Sequence, residues 1–319
     1  MVGADNLKWS IILPVAVLTG VVLGGIALPM LTAEEGKVNL YGRRSTSGTY
    51  VYFREHVVEN WYSDEMYNMA GNKNIVYAVK HDVNGVGYVG AGYVTTENGE
   101  PIEGIKILKI AKDENSEAVS PLNPFNVKTG KYPIARPLYQ YTRGKPKEGS
   151  LLYEFLKFEL SEEGEEIVKD TGFYPLMPSD REHNENKFEE FEGSEGGSLK
   201  GELSIKGSDT ELELVSNFAK SFTENRPKAE IIVEGGGSGT GINALIQGRT
   251  DVADSSRKIK PEEIRTAESN GINPVEFIIA RDAICIIVNP SNPVDNLTVE
   301  ELSKMFGGEI TSWERVRDG

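Results

Sequence analysis

The stretch Leu40–Phe53, LYGRRSTSGTYVYF, sets two arginines and a run of hydroxyl and glycine residues between a short apolar run and an amphipathic one. That order describes an oxyanion cradle at the mouth of a helix. The first N–H groups of a helix have no partner within it and carry partial positive charge, so one oxyanion can satisfy several of them. Ser47, Gly48 and Thr49 open the helix, and Arg43 or Arg44 adds a planar, permanently charged fork suited to two oxygens of one anion. An ordinary Ser/Thr cap beside exposed arginines is the competing reading of this stretch alone. Further cradles of the same kind along the chain shift the balance.

Working outward, the 319 residues allow two compact lobes. A net charge of -15 argues against nucleic acid as a partner, because a binder of the phosphate backbone needs a basic face. A small anion, held by local donors, is compatible with it. The single cysteine, Cys285, lies in the apolar run Ile284–Val288 and reads as a buried, inert thiol; no intrachain disulfide is possible. His56, His81 and His183 stand well apart, so no metal site is expected and no cofactor is called for. Trp9–Leu31 is 23 residues without a charge, following Lys8. A helix of that length spans about 30 Å of hydrocarbon. Lys8 favours a cytoplasmic N-terminus (residues 1–8) with everything after residue 31 outside. An uncleaved membrane anchor is the favoured reading and a cleaved signal the other.

From Lys37 to Ile110 the chain reads as one α/β piece. Strand Val38–Tyr41 feeds the cradle, and the helix after it sets Phe53, Val57 and Trp61 on one face. A helix over Asn74–His81, a strand over Gly85–Tyr93 and another over Gly104–Ile110 follow. Pro121–Thr142, rich in proline and aromatics, reads as extended, and Ser150–Leu160 returns to helical spacing. Pro178–Lys200 is acidic and Gly/Ser-containing with few apolar residues, and is expected to be a linker.

Three strand-to-helix turns then come in succession. Leu203–Ile205 leads through Gly207-Ser-Asp-Thr into a helix with Leu214, Val215, Phe218 and Phe222 on one face. Ala229–Val233 ends in Glu234-Gly-Gly-Gly-Ser-Gly-Thr-Gly before Ile242, Leu245 and Ile246, and Val252-Ala-Asp-Ser-Ser-Arg precedes a helix starting at Lys260-Pro-Glu-Glu. Phe277–Val288 is an apolar run broken by Arg281 and Asp282, and Leu297–Phe306 is a short helix. The glycine run matches a dinucleotide fingerprint only loosely, since Asp251 and Asp254 come too early for the ribose acid. It lacks the Gly-Lys-Ser/Thr of a Walker loop and the last glycine of a nucleophile elbow. What remains is a loop whose backbone N–H groups approach a ligand while Ser238 and Thr240 offer hydroxyls.

GSDT, EGGGSGTG, TDVADSSRKIKPEE, SNGINPVEFIIARDAICIIVNPSNPVDNLT and MFGGEITSWERV resemble, in that order, the first half of the phosphate-binding proteins that serve ABC phosphate importers. VNLYGRRSTSGTYVYFREHV, NGVGYVGAGYV, YPIARPLYQYT and GFYPL resemble the second half. The resemblance spans Lys37–Leu176 and Gly201–Gly319 with the halves in exchanged order, so that Arg317-Asp-Gly319 would read on into Gly36-Lys-Val-Asn. It implies an α/β, two-lobed, periplasmic-binding-protein-like fold (type II), circularly permuted, after an N-terminal transmembrane helix. One lobe would combine 37–112 with 286–319 and the other 113–177 with 201–285, joined through the linker 178–200. A piece of a tandem array, whose halves complete their lobes with another chain, is the alternative.

Carried over by position, the resemblance implies phosphate binding by Arg43, Ser47, Gly48 and Thr49 from one lobe. From the other come Asp209 or Thr210, Ser238 and Ser256. Well-known members have an aspartate where Ser256 stands and a threonine where Asp209 stands, so the acceptor for the proton of hydrogen phosphate is expected to have moved to Asp209. A carboxylate favours a P–OH donor and repels fully ionised sulfate. The expected role is capture of phosphate for the permease subunits of an importer, without catalysis. A phosphate-ester enzyme using the same anion site, and a membrane-anchored sensor, are the rivals from other classes.

Overall fold

The computed structural model describes residues 36–96, 99–188 and 199–317. The expected membrane helix, Trp9–Leu31, lies outside them. Among the described residues no helix is long and apolar enough to cross a membrane. The strands are β1 (Asn39–Arg43), β2 (Tyr67–Met69), β3 (Gly85–Gly90), β4 (Lys106–Ile107), β5 (Lys109–Ala111), β6 (Ala135–Thr142), β7 (Gly201–Gly207), β8 (Ala229–Glu234), β9 (Val252–Ser255), β10 (Val275–Val288) and β11 (Asn296–Thr298). The helices are α1 (Gly48–Phe53), α2 (Asn72–His81), α3 (Pro124–Lys128), α4 (Leu151–Glu159), α5 (Glu162–Asp170), α6 (Pro178–Glu185), α7 (Leu212–Glu224), α8 (Ser238–Ile246), α9 (Pro261–Ser269), α10 (Val299–Gly307) and α11 (Glu314–Arg317).

One sheet runs in the order β2-β1-β3-β10-β6-β9-β7-β8. Its two ends are built alike. β1 lies parallel to both β2 and β3, and β7 lies parallel to both β8 and β9. Parallel neighbours need a crossover, which the intervening helices supply. β10 joins the two ends: its first part pairs with β6 and its last part, Ile284–Val288, with β3. Apolar side chains pack in separate cores on either side of that junction. One gathers residues between Val38 and Ile134, together with Tyr174 and residues between Ala283 and Trp313. Two others gather residues between Leu138 and Ala280, among them Phe218, Phe222, Ile242 and Leu245. Each such large apolar side chain contributes about 1.5–3 kcal/mol when fully buried. Cys285 is buried and free, as its apolar run implies.

At Gly87, where a Cβ would run into Ile75, α2 lies directly on β3, which is why a glycine interrupts that strand. Residues 36–38 and 311–313 are antiparallel neighbours. Lys37 bridges Ser312, the Val38 N–H donates to the Thr311 carbonyl at 2.9 Å, and the Trp313 N–H donates to the Gly36 carbonyl at 2.9 Å.

Four local expectations need correction. Trp61 does not continue the helical face of Phe53 and Val57: a π-helical turn over Arg54–Val58 ends at Glu59, in the left-handed region at φ 58, and Trp61 is 72% exposed. The strand expected over Gly104–Ile110 is split into β4 and β5, which pair with different partners. The extended segment Pro121–Thr142 contains the short helix α3, started by the Asn123 cap and Pro124, before β6. Most consequential, the linker expected at 178–200 begins with a helix, α6, that is anchored to the sheet.

The cause of that last difference is a defect in the sheet. The β10–β6 register shifts between Ile278 and Ala280. A bulge interrupts the ladder and leaves backbone groups seeking partners. Asn184 supplies both: its Oδ1 accepts the Ile278 N–H at 3.0 Å and its Nδ2 donates to the Ile278 carbonyl at 2.8 Å. Asp180, also buried, grips the Arg281 guanidinium at 2.6 and 2.8 Å. Polar composition suggests a solvated tether; these polar groups instead bond to β10. Asn184→Ala is expected to lower unfolding free energy by about 1–3 kcal/mol, the cost of orphaning buried backbone groups. Urea unfolding measures it; a variant as stable as the parent would contradict this role for α6.

Candidate functional site

The cradle at Leu40–Phe53 folds as its residues imply. Arg43 is the last residue of β1, Ser47 caps α1 by accepting the Thr49 N–H, and Gly48 starts the helix. Arg44 is exposed whereas Arg43 is 2% exposed, so Arg43 is the arginine that faces inward. Its backbone N–H donates to the Tyr88 hydroxyl at 3.1 Å. Its Nη2 donates to Asp209 Oδ2 at 2.5 Å and to the Ala70 carbonyl at 3.3 Å. Its Nε and Nη1 are buried without a hydrogen-bond partner among the described residues. A guanidinium has five N–H donors and cannot discharge, so these donors call for an acceptor.

The glycine-rich turn after β8 and the turn after β9 meet this cradle. The Gly239 N–H donates to the Thr46 carbonyl at 3.1 Å, and the Thr49 and Thr210 hydroxyl oxygens are 3.0 Å apart. Ser238, first residue of α8, accepts the Ser256 N–H at 3.1 Å, with its hydroxyl 3.4 Å from that of Ser256. Gly48 sits so tightly against both hydroxyls that a Cβ there would collide with them. Residues expected from sequence, Arg43, Ser47, Gly48, Thr49, Asp209, Thr210, Ser238 and Ser256, therefore converge from segments far apart in the chain, and all but Asp209 are buried. The Asp209 carboxylate is engaged twice: Oδ1 accepts the Gly236 N–H at 2.8 Å and Oδ2 takes Arg43. The Tyr93 hydroxyl donates to the Asp209 carbonyl. Asp209 caps no helix; the N-terminal flank of α7 is Glu211, without a side-chain cap.

Sequence reasoning missed a buried ion pair at the base of this cluster. Arg136 and Asp282 are direct cross-strand neighbours on β6 and β10. Nε and Nη2 of Arg136 donate to Asp282 Oδ2 at 3.1 and 2.8 Å, Nη1 to the Ser256 carbonyl at 2.8 Å, and Nη2 to Thr49 Oγ1 at 2.8 Å. Burial pushes the Asp282 carboxyl up, against the pull of Arg136. The available signal was a lone charge in β6, Arg136, and charges such as Asp282 interrupting the apolar run of β10. Behind the turn of Ser208–Thr210 lie three further buried acids. Burial pushes Asp254 up to about 7, and raises Glu211 and Glu159 well above the usual carboxylate range, with the charge of Asp254 adding to both. Gln140, the cross-strand partner of Asp254, donates to Glu159 at 3.1 Å. Among the described residues no group of side chains is arranged to hold a metal ion.

Two parallel β-α-β ends sharing one long strand, with hydroxyl-bearing turns from both closing on a buried arginine, define an α/β binding protein of the periplasmic-binding type. The chain belongs to the PBP superfamily: a family model described as "PBP superfamily domain" matches residues 8–163 and 192–319. Among its relatives, phosphate-binding protein PstS 2 of Streptococcus agalactiae serotype V is 25% identical over 323 residues, covering 96% of this chain and 97% of that protein. Phosphate-binding protein PstS of Pseudomonas aeruginosa is 34% identical over 151 residues, 46% of this chain and 44% of that protein. The crystal structure of a phosphate-binding protein of a phosphate ABC transporter from Streptococcus pneumoniae TIGR4 superposes with a TM-score of 0.61 at 23% identity, over 88% of this chain and 100% of that one, which supports the fold.

The buried acids predict a pH dependence of stability. Asp254 has a raised native pKa, about 7 against 3.8. Between those values the native state holds a proton that the unfolded chain has released, so this group's contribution is full below the lower value and is lost as pH rises through the upper one. Asp254→Asn should flatten the fall in stability measured by urea unfolding from about pH 4.5 to about pH 7.5, gaining most at the upper end. A gain independent of pH would contradict the assignment.

Proposed function

We propose that this protein captures inorganic phosphate outside the cytoplasm, tethered by Trp9–Leu31, and delivers it to the permease subunits of an ABC phosphate importer. The observation that carries the reading is the pair of buried, unpartnered guanidinium nitrogens of Arg43 beside the hydroxyls of Thr49, Thr210, Ser238 and Ser256. A tetrahedral oxyanion has the acceptors this donor set lacks, and charge-assisted bonds to it are about twice as strong as neutral ones. The first turns of α1 and α8 add backbone donors. We assign phosphate binding to Arg43, Ser47, Gly48, Thr49, Asp209, Thr210, Ser238 and Ser256. Asp209 orients Arg43, and because each carboxylate oxygen carries two acceptor positions, it retains a place for the P–OH of hydrogen phosphate. Relatives named as phosphate-binding proteins support the same ligand.

Binding without turnover is the favoured reading. The hydrogen-bond partners of the four hydroxyl side chains are one another, backbone amides and Arg136, with no base among them. We further propose two lobes, one of residues 37–112 with 286–319 and the other of 113–177 with 201–285, that close on the anion. Separate apolar cores support two lobes, with the boundaries shifted: Val127, Tyr132, Ile134, Tyr174 and Ala283, Ile284 and Cys285 pack with the first core. The halves stand in exchanged order relative to the resemblance, as in a circular permutation. Support comes from the antiparallel pairing of residues 36–38 with 311–313, which lays the end of one half beside the start of the other.

Isothermal titration calorimetry of the full chain in detergent micelles tests the reading. One phosphate per monomer is expected, with sulfate much weaker; no binding, or binding only by dimers, would contradict it. Arg43→Met, which removes two charge-assisted bonds of about 1.5–3 kcal/mol each, should weaken phosphate binding by about a hundredfold or more. Asp209→Asn should erode the preference for phosphate over sulfate; an unchanged preference would remove Asp209 from the selector role.

A further inference from the structure

Thr49 and Thr210 between them carry two hydroxyl hydrogens, and the structure accounts for only one. Their oxygens are 3.0 Å apart, so one O–H bridges them. The other has no protein acceptor among the described residues, although both side chains are buried. A buried donor left unused is costly. Behind Thr49 stands Arg136 Nη2, donating to Thr49 Oγ1 at 2.8 Å. A guanidinium has donors and no acceptor, so the spare hydrogen cannot turn backwards into the protein. It points away from Arg136, available to an acceptor that a bound ligand would supply.

Arg136 is itself immobilised. It is 1% exposed, its other hydrogen bonds go to Asp282 and the Ser256 carbonyl, and the Tyr52 ring lies 5.4 Å from its guanidinium carbon. Asp282 is fixed in turn by the Ala91 N–H at 3.0 Å. One rigid guanidinium thus touches both the cradle of α1 and the turn after β9.

We propose that Arg136 is a positioning residue that polarises the Thr49–Thr210 hydroxyl pair, so that the pair presents a hydrogen, and not a lone pair, to an ionised oxygen of the bound phosphate. This rests on the phosphate-binding reading above. It divides the labour within the site: the hydroxyl pair recognises ionised oxygens, and the P–OH is left to a carboxylate. Arg136 acts through Thr49 and need not touch the ligand.

A double-mutant cycle on phosphate affinity, read by calorimetry on the full chain, tests this. The paired substitution Arg136→Gln with Asp282→Asn keeps the local net charge and places an amide able to accept where only a donor stood. It should weaken phosphate binding about tenfold, the scale of one hydrogen bond to a charged group, and Thr49→Val should do the same. Combined, they should again give about tenfold, because the second change acts on a relay already broken. Arg136→Lys, which also only donates, should rescue most of the affinity. Additive losses of about a hundredfold would mean that Arg136 acts independently of Thr49, and would overturn the proposal. If the paired variant does not fold, Arg136→Lys in the parent and Thr49→Val backgrounds closes a smaller cycle: any loss it causes must vanish without the Thr49 hydroxyl, and a loss that persists overturns the relay. Failure of the parent protein to bind phosphate would strike the phosphate reading itself, a result separable from all of these.

Discussion

A buried guanidinium with spare donors is the constraint around which the rest of this structure is arranged. Arg43 cannot lose its charge, and withdrawing a charge from water is tolerable only with paired, hydrogen-bonded company. Asp209 supplies part of that company from the opposite side of the cluster, and Gly236 holds Asp209 in place. The partnering is incomplete at Nε and Nη1. A site whose missing acceptors one oxyanion can supply binds strongly, because folding has already brought its parts together.

The strands make this convergence possible. β1 and β7 each lie between parallel neighbours, and the turns that leave them point their N–H groups and hydroxyls to a common place because β10 and β6 tie the two ends into one sheet. The Arg136–Asp282 pair marks that tie from within. Here a buried ion pair is better understood as an instrument of orientation than as a source of stability, since exchanging it for apolar residues would often cost little. Burial raises the pKa of three acids behind the Ser208–Thr210 turn, which disfavours negative charge on that side of the cluster.

Much of the candidate site's convergence was legible because its chemistry is local. Glycine, serine and threonine at strand-to-helix turns have few other reasons to recur in that order, and each cradle could be recognised without knowing where it would meet the next. Arg43 could not be told from Arg44 until the strand end was known, because Arg43 is the last buried residue of β1 and Arg44 lies exposed in the turn beyond it. Arg136 and Asp282 stayed hidden for a different reason: their meaning comes from facing each other across two strands that lie far apart in sequence. Likewise, the polar residues of α6 have the composition of a solvated linker until the bulge near Ile278 supplies them with partners. Composition reports what a segment can bury on its own and is silent about what another segment needs from it.

The most direct measurement of the central claim is a crystal structure of the full chain grown with phosphate. The account predicts a single tetrahedral anion within hydrogen-bonding distance of Arg43 Nε and Nη1, touched from one side by Thr49 and from the other by Ser238. An anion bound elsewhere, with those two nitrogens still unpartnered or turned to solvent, would contradict it.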